Sequence, residues 1–108
     1  MIKIRKIKNS DYPQALKLWK HTPGIGLSAA DEKTALLKFL KKNRSLCFAA
    51  FDGDQLVGTI LCGEDGRRGY LYHLAVAENH RHLGIAKNLL QNSLQALQEK
   101  GIQKCHLF

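Results

Sequence analysis

Apolar and basic positions alternate at the amino terminus, where Ile2 and Ile4 flank Lys3 and Ile7 follows one position out of step. A period of two predicts a short strand with one buried face. Asn9, Ser10 and Asp11 offer caps for a helix running to about Lys20, in which Ala15, Leu16 and Trp19 recur along one side. Trp19 is the expected core anchor. Pro23, Gly24 and Gly26 interrupt the pattern between Thr22 and Ser28. Ser28-Ala29-Ala30-Asp31 has the spacing of a capping box and predicts an amphipathic second helix reaching Lys42, with Leu36, Leu37, Phe39 and Leu40 on its apolar side.

Leu46–Phe51 and Leu56–Leu61 are β-rich runs joined by Asp52-Gly53-Asp54-Gln55, whose Asp-Gly pair favours a hairpin. The polar stretch from Glu64 to Gly69 turns the chain again, into a strand from Tyr70 to Val76. Beyond His80 the period changes: Ala86, Leu89, Leu90, Ser93, Leu94 and Leu97 form the seam of a long helix that ends at Gly101. Gln103 to Phe108 begins a fifth strand. A strand, a helix and a strand in succession make a crossover, so the last two strands are expected to be parallel. The fold class is α/β: a mixed sheet, antiparallel through its first four strands and parallel between the fourth and fifth, with helices on both faces.

Composition narrows the class. A chain of 108 residues, 44% apolar and 24% charged, supports one domain over residues 1–108 and lies outside the disordered, collagen-like and disulfide-scaffold classes. Lys and Arg number 17 against 9 Asp and Glu, a net charge of +8. The excess is dispersed, so it fits a polyphosphate ligand, RNA or plain solubility. A small basic RNA-binding domain is the weakest of these, because the aromatic residues fall mostly in apolar runs and leave few rings to stack on bases. Cys47, Cys62 and Cys105 sit in apolar runs without C-x-x-C spacing and read as reduced core residues. With no apolar window near ~18 residues and no signal-type amino terminus, a cytoplasmic protein without membrane contact is expected.

The segment from Leu74 to Ala86 carries the chemistry, because an apolar strand passes through a polar loop into a helix start that lacks bulk. The first turn of a helix has unpaired N–H groups at the positive end of its dipole. Gly84 and Ala86 leave room for an anion to approach them. Three or four amides on a diphosphate, each charge-assisted bond contributing about 1.5–3 kcal/mol, outweigh any surface lysine. No Gly-Lys-Ser/Thr follows and G-x-G-x-x-G is absent, which excludes a P-loop and a dinucleotide fingerprint. His80 and His82 have an H-x-H spacing but no supporting cysteine or carboxylate, so they read as loop residues and not as metal ligands.

These residues resemble the GNAT superfamily of acetyl-CoA-dependent N-acetyltransferases, whose R/Q-x-x-G-x-G/A signature is met by Arg81, Gly84 and Ala86. The element order agrees over the whole chain. A bacterial subgroup of the superfamily is also similar through GIGLS at Gly24–Ser28, the run Leu61–Tyr70, HLAV at His73–Val76 and KCHLF at Lys104–Phe108. The resemblance implies that Arg81, His82, Leu83, Gly84, Ile85, Ala86 and Lys87 wrap the coenzyme A diphosphate. It implies that Leu74, Ala75 and Val76 hold the pantetheine arm, and that a β-bulge splays the fourth strand from the fifth and frees an N–H for the thioester carbonyl. Acetyl-CoA is then the cosubstrate, giving its acetyl group directly to an amine on a small molecule or peptide.

A base is needed, because deprotonating a lysine-like ammonium at pH 7 costs about 4–5 kcal/mol. His73 is the candidate, for its imidazole and its place on the strand entering the cleft; Tyr72 and Glu64 are weaker ones. A hydrogen-bonded structural role for His73 competes with this. The glutamate base and tyrosine acid that the superfamily often uses have no matching position here. By the same analogy Gly24–Ser28 walls the acceptor site. Arg67 and Arg68 read as a solvated turn, with guidance of an acidic acceptor or of the coenzyme 3′-phosphate as the alternative. The chain stops within its fifth strand, so against the resemblance the carboxy-terminal part of the domain is absent. Either the chain is a fragment of a longer protein, the favoured reading, or it is naturally short and a partner supplies the wall. If the chain is stable alone, an open apolar edge there predicts self-association into a homo-oligomer. A coenzyme A-binding module without turnover is the rival to the enzyme.

Overall fold

The computed structural model describes residues 1–107. Five strands form one sheet in sequential order: β1 Ile2–Lys6, β2 Phe48–Asp52, β3 Gln55–Glu64, β4 Arg68–Val76 and β5 Lys104–Leu107. The first three pairings are antiparallel and β4 pairs β5 in parallel, Arg68 with Lys104 through Leu71 with Leu107. Helices α1 Tyr12–Lys20 and α2 Lys33–Asn43 cover one face of the sheet, and α3 Ile85–Glu99 covers the other. This is the mixed sheet with helices on both faces that the periodicities predict.

Each face owns part of the core. Trp19, Leu36, Leu40 and Leu61 pack together beneath α1 and α2, with Ile7 among them. Val57, Ile60, Leu89 and Leu97 pack beneath α3, joined by Ile2 and Ile4. The phase slip between Ile4 and Ile7 therefore sends the two residues to opposite faces. Alternation along β3 feeds both cores at once, which is why nearly the whole strand is buried. Close approach of α3 to the sheet depends on Gly58, where a Cβ would lie 3.1 Å from Leu89 Cδ1 and 3.3 Å from the Ala75 carbonyl oxygen. Helix α3 ends as predicted: Gly101 has φ +84°, its amide donates to Gln98 O, and Ile102 N donates to Leu97 O, the paired bonds of a Schellman motif.

Three boundaries differ from the sequence expectation. The capping box at Ser28–Asp31 closes a single 3-10 turn, Ala29–Asp31, after which Glu32 is extended and α2 begins afresh at Lys33. Asp11 does not cap α1 through its side chain; both carboxylate oxygens are held by Arg5, and the Lys8 amide donates to Oδ2 at 2.7 Å. Cys47 and Cys62 are core residues, whereas Cys105 is half-buried.

Candidate functional site

Strand β4 carries one residue more than its partner. Thr59 opposes Ala75 and Leu61 opposes Tyr72, so two steps along β3 match three along β4, and the surplus falls at His73 and Leu74. His73 absorbs it with φ +49°, a left-handed conformation that costs a non-glycine residue about 1–2 kcal/mol. The bulge resets the alternation. Tyr72 and Ala75 belong to the α1/α2 side, while Leu71, Leu74 and Val76 pack toward α3. A buried relay holds the conformation: Trp19 Nε1 donates to Thr59 Oγ1 at 2.9 Å, and that hydroxyl donates to the His73 carbonyl at 2.9 Å.

The kink turns the His73 imidazole toward α1 and α2, edge-on to the Trp19 ring at 4.7 Å between centroids. Its Nε2 lies 2.7 Å from Asp31 Oδ1. A carboxylate only accepts, so Nε2 carries the proton and Nδ1 is left with the lone pair. Nδ1 has no hydrogen bond among the described residues. Since no buried side-chain nitrogen there lacks a partner, it is not fully buried. Asp31 is itself fixed: Oδ2 accepts the Ser28 amide at 3.0 Å, and its carbonyl accepts the Tyr12 hydroxyl at 2.8 Å. The capping pattern visible in the sequence thus serves to aim a carboxylate. Residue spacing singles out His73 as a candidate but not Asp31, whose partner lies 42 residues away.

His73 and Asp31 line a cavity of about 750 Å³ between the Thr22–Ser28 loop, α2 and β4. Gly24, Ile25, Gly26 and Ser28 lie on its wall, as does Tyr72. Leu74 lies there as well, which brings the cavity to the strand segment beyond the bulge. Glu64 lines a smaller hollow of about 360 Å³ on the far side of Phe39 and Tyr72, and lies 3.6 Å from Lys100. It is not brought to His73. Arg67 and Arg68 occupy an exposed turn in which both amides donate to Asp65.

Past Val76 the chain makes one 3-10 turn, Glu78–His80, and reaches α3 through a tight loop. His82 and Gly84 have φ of +66° and +80°, and Gly84 is the N-cap of α3 without any capping side chain. The amides of residues 82–87 donate to no acceptor among the described residues. A Cβ at Gly84 would meet nothing within 4 Å, so the space in front of this helix start is open. The loop is tethered from behind: Arg81 Nε donates to Val76 O at 3.2 Å, and His80 Nε2 lies 2.9 Å from Asp52 Oδ2. Ile85 is buried in the core, so of the predicted run it offers only its backbone, and the same holds for Ala75 on β4. Pairing with β5 extends as far as Leu71 among the described residues, and the Leu74–Val76 stretch of β4 runs on from there toward the start of α3. An extended ligand with a polyanionic end fits these features: a strand end for its body and amides that lack an acceptor among the described residues for its phosphates.

The sequence profile described as the Acetyltransferase (GNAT) family matches residues 3–108. N-alpha-acetyltransferase 30 of Schizosaccharomyces pombe is 31% identical over 83 residues, covering 72% of this chain and 55% of the relative. Acetyltransferase SG1711 of Sodalis glossinidius is 27% identical over 106 residues, covering 98% of this chain and 74% of its own. Among solved structures, the PaiA N-acetyltransferase of Thermoplasma acidophilum in complex with coenzyme A superposes with a TM-score of 0.84 at 26% identity, over 99% of this chain and 78% of that one. The chain thus spans about half of the first relative and about three quarters of the other two.

Proposed function

Given that the chain belongs to the GNAT acetyltransferase family, we propose that it transfers the acetyl group of acetyl-CoA to a primary amine seated in the cavity beside His73. The observation that carries this reading is the convergence of two features on β4. Six consecutive amides, residues 82–87, which have no acceptor among the described residues, follow the Leu74–Val76 end of that strand, and an imidazole oriented by a carboxylate precedes it.

Residues 82–87 hold the diphosphate through their amides, with Gly84 leaving the approach clear, and the backbone at Leu74, Ala75 and Val76 pairs with the amides of the pantetheine arm. Acetyl-CoA supplies an activated acyl group, whose transfer forms a C–N bond, breaks a C–S bond and releases the thiol. The protein's part is positioning and proton removal. Asp31 holds His73 in the tautomer that keeps the Nδ1 lone pair free, so Nδ1 takes the proton of the incoming ammonium. General bases of this kind contribute about 10²–10⁴-fold.

Melting the protein with acetyl-CoA, with coenzyme A and with RNA tests the reading. A ligand at a hundred times its dissociation constant adds about 2.7 kcal/mol, which for a domain this small raises the melting temperature by about 10 °C. A rise with the thioester and the thiol, together with thiol release in the presence of amines, is the expected result. Binding without thiol release would favour the coenzyme A-binding module, and a rise with RNA alone would overturn both.

A further inference from the structure

We infer that the amine accepted in the 750 Å³ cavity sits on an apolar body and bears no carboxylate or phosphate next to its nitrogen. This rests on the acetyltransferase reading and narrows it to a substrate class. The chain has 17 lysines and arginines, yet none lines the cavity. Among the described residues, the one carboxylate that does is Asp31. In a protein this basic, the absence of any cation from that wall matters, because an anionic group there would have no counter-charge and would face Asp31 directly.

The rest of the wall agrees. Pro23, Ile25, Leu36, Phe39 and Leu61 give it an apolar lining, and the volume is that of a site for a small molecule or the end of a chain. The lysines of α2 do not reach in: Lys38 and Lys42 line the neighbouring hollow, and Phe39 and Tyr72, edge-to-face at 6.2 Å, stand on the boundary because both line both spaces. An alkyl- or arylalkyl-ammonium meets both halves of this site at once. Its charge is complementary to the Asp31 and His73 end, and its body covers the apolar wall.

The test compares phenethylamine, phenylalaninamide, the amide-capped peptide Phe-Ala-Ala-Ala and phenylalanine, which share one side chain and differ in the group beside the nitrogen. With acetyl-CoA, the three that lack a carboxylate are expected to exceed phenylalanine in kcat/KM by at least about tenfold. Either order of phenethylamine and the peptide supports the inference and identifies free amines or chain termini as the source. Equal or better use of phenylalanine, or coenzyme A binding with none of the three accepted, overturns it. Ala35→Lys puts a cation at an exposed cavity-wall position of α2 without burying it, and should raise the relative use of phenylalanine; no change in the ratio would count against the inference. The same panel is read by melting temperature without coenzyme, where phenethylamine should stabilise more than phenylalanine and the reverse would overturn the inference. Failure of coenzyme A to bind would strike only at the acetyltransferase reading.

Discussion

Trp19 and Thr59 are joined by a buried hydrogen bond of 2.9 Å, and through the Thr59 hydroxyl the indole is linked to the carbonyl of His73. Trp19 and Thr59 are both almost completely buried. The bond therefore ties the first helix to the kink of β4, so that the core itself sets the direction of the imidazole. Thr59→Val keeps the shape but strands the indole N–H and the carbonyl, each unsatisfied group costing about 1–3 kcal/mol. Urea unfolding should show a loss of about 2–6 kcal/mol for the two groups together, and kcat should fall further than the loss of folded protein explains.

Asp31→Asn and His73→Asn separate positioning from folding. Asparagine tolerates left-handed φ better than most residues, so His73→Asn leaves the bulge in place. Both variants should lower kcat by about 10²-fold or more, with the coenzyme A melting shift unchanged. A fall in that shift equal to the fall in kcat would show that the pair serves structure alone.

Gly84→Val should abolish the coenzyme A shift. Valine is strained at φ +80° by about 1–2 kcal/mol, a cost the fold tolerates because the side chain meets no neighbour. What the side chain occupies is the open space in front of the unpaired amides. Unchanged binding, measured by calorimetry, would remove the diphosphate from this helix start.

Acid stability has an identifiable source. Burial alone would push the Asp11 carboxyl up, but the Arg5 guanidinium and the Lys8 amide together hold it below the ordinary carboxylate range. A carboxylate with a depressed folded-state value stabilises the protein above the unfolded value, about 3.9, and that contribution is lost as pH falls through the folded value. Urea midpoints taken between pH 6 and 2 should fall on acidification, and less steeply in Asp11→Asn. The variant keeps part of the slope, since His80 lowers Asp52 and the Arg68 and Arg67 amides lower Asp65.

Thiol labelling should resolve two classes. Burial pushes the thiols of Cys47 and Cys62 up to about 12, so neither offers thiolate at neutral pH. Cys105 is half-buried. One thiol is expected to react with a disulfide reagent in the native protein and two only on unfolding, as mass spectrometry of the labelled chain would count.

Much of this architecture is legible from residue spacing, because the strands, the Asp52–Gln55 hairpin and the α3 seam depend on local periodicity and turn chemistry. The open start of α3 is legible for the same reason: its signal, small residues after a strand, lies in one short stretch. The Asp31–His73 pair is not. Its members lie 42 residues apart, and Asp31 sits in a capping pattern that already accounts for an acidic residue. The bulge is implied by the family resemblance but not by residue spacing, since Leu71-Tyr72-His73-Leu74-Ala75-Val76 contains no glycine to announce a left-handed position. The one available hint is that this run does not alternate.

The loop and helix that wall the cavity beside His73 come from the segment before β2, whereas the amides at the start of α3 come from the segment after β4. The two regions are thus encoded in separate stretches of the gene. Exchanging residues 22–39 for those of another family member should accordingly redirect which amine is chosen and leave nucleotide affinity intact, as an amine panel and coenzyme A calorimetry would show.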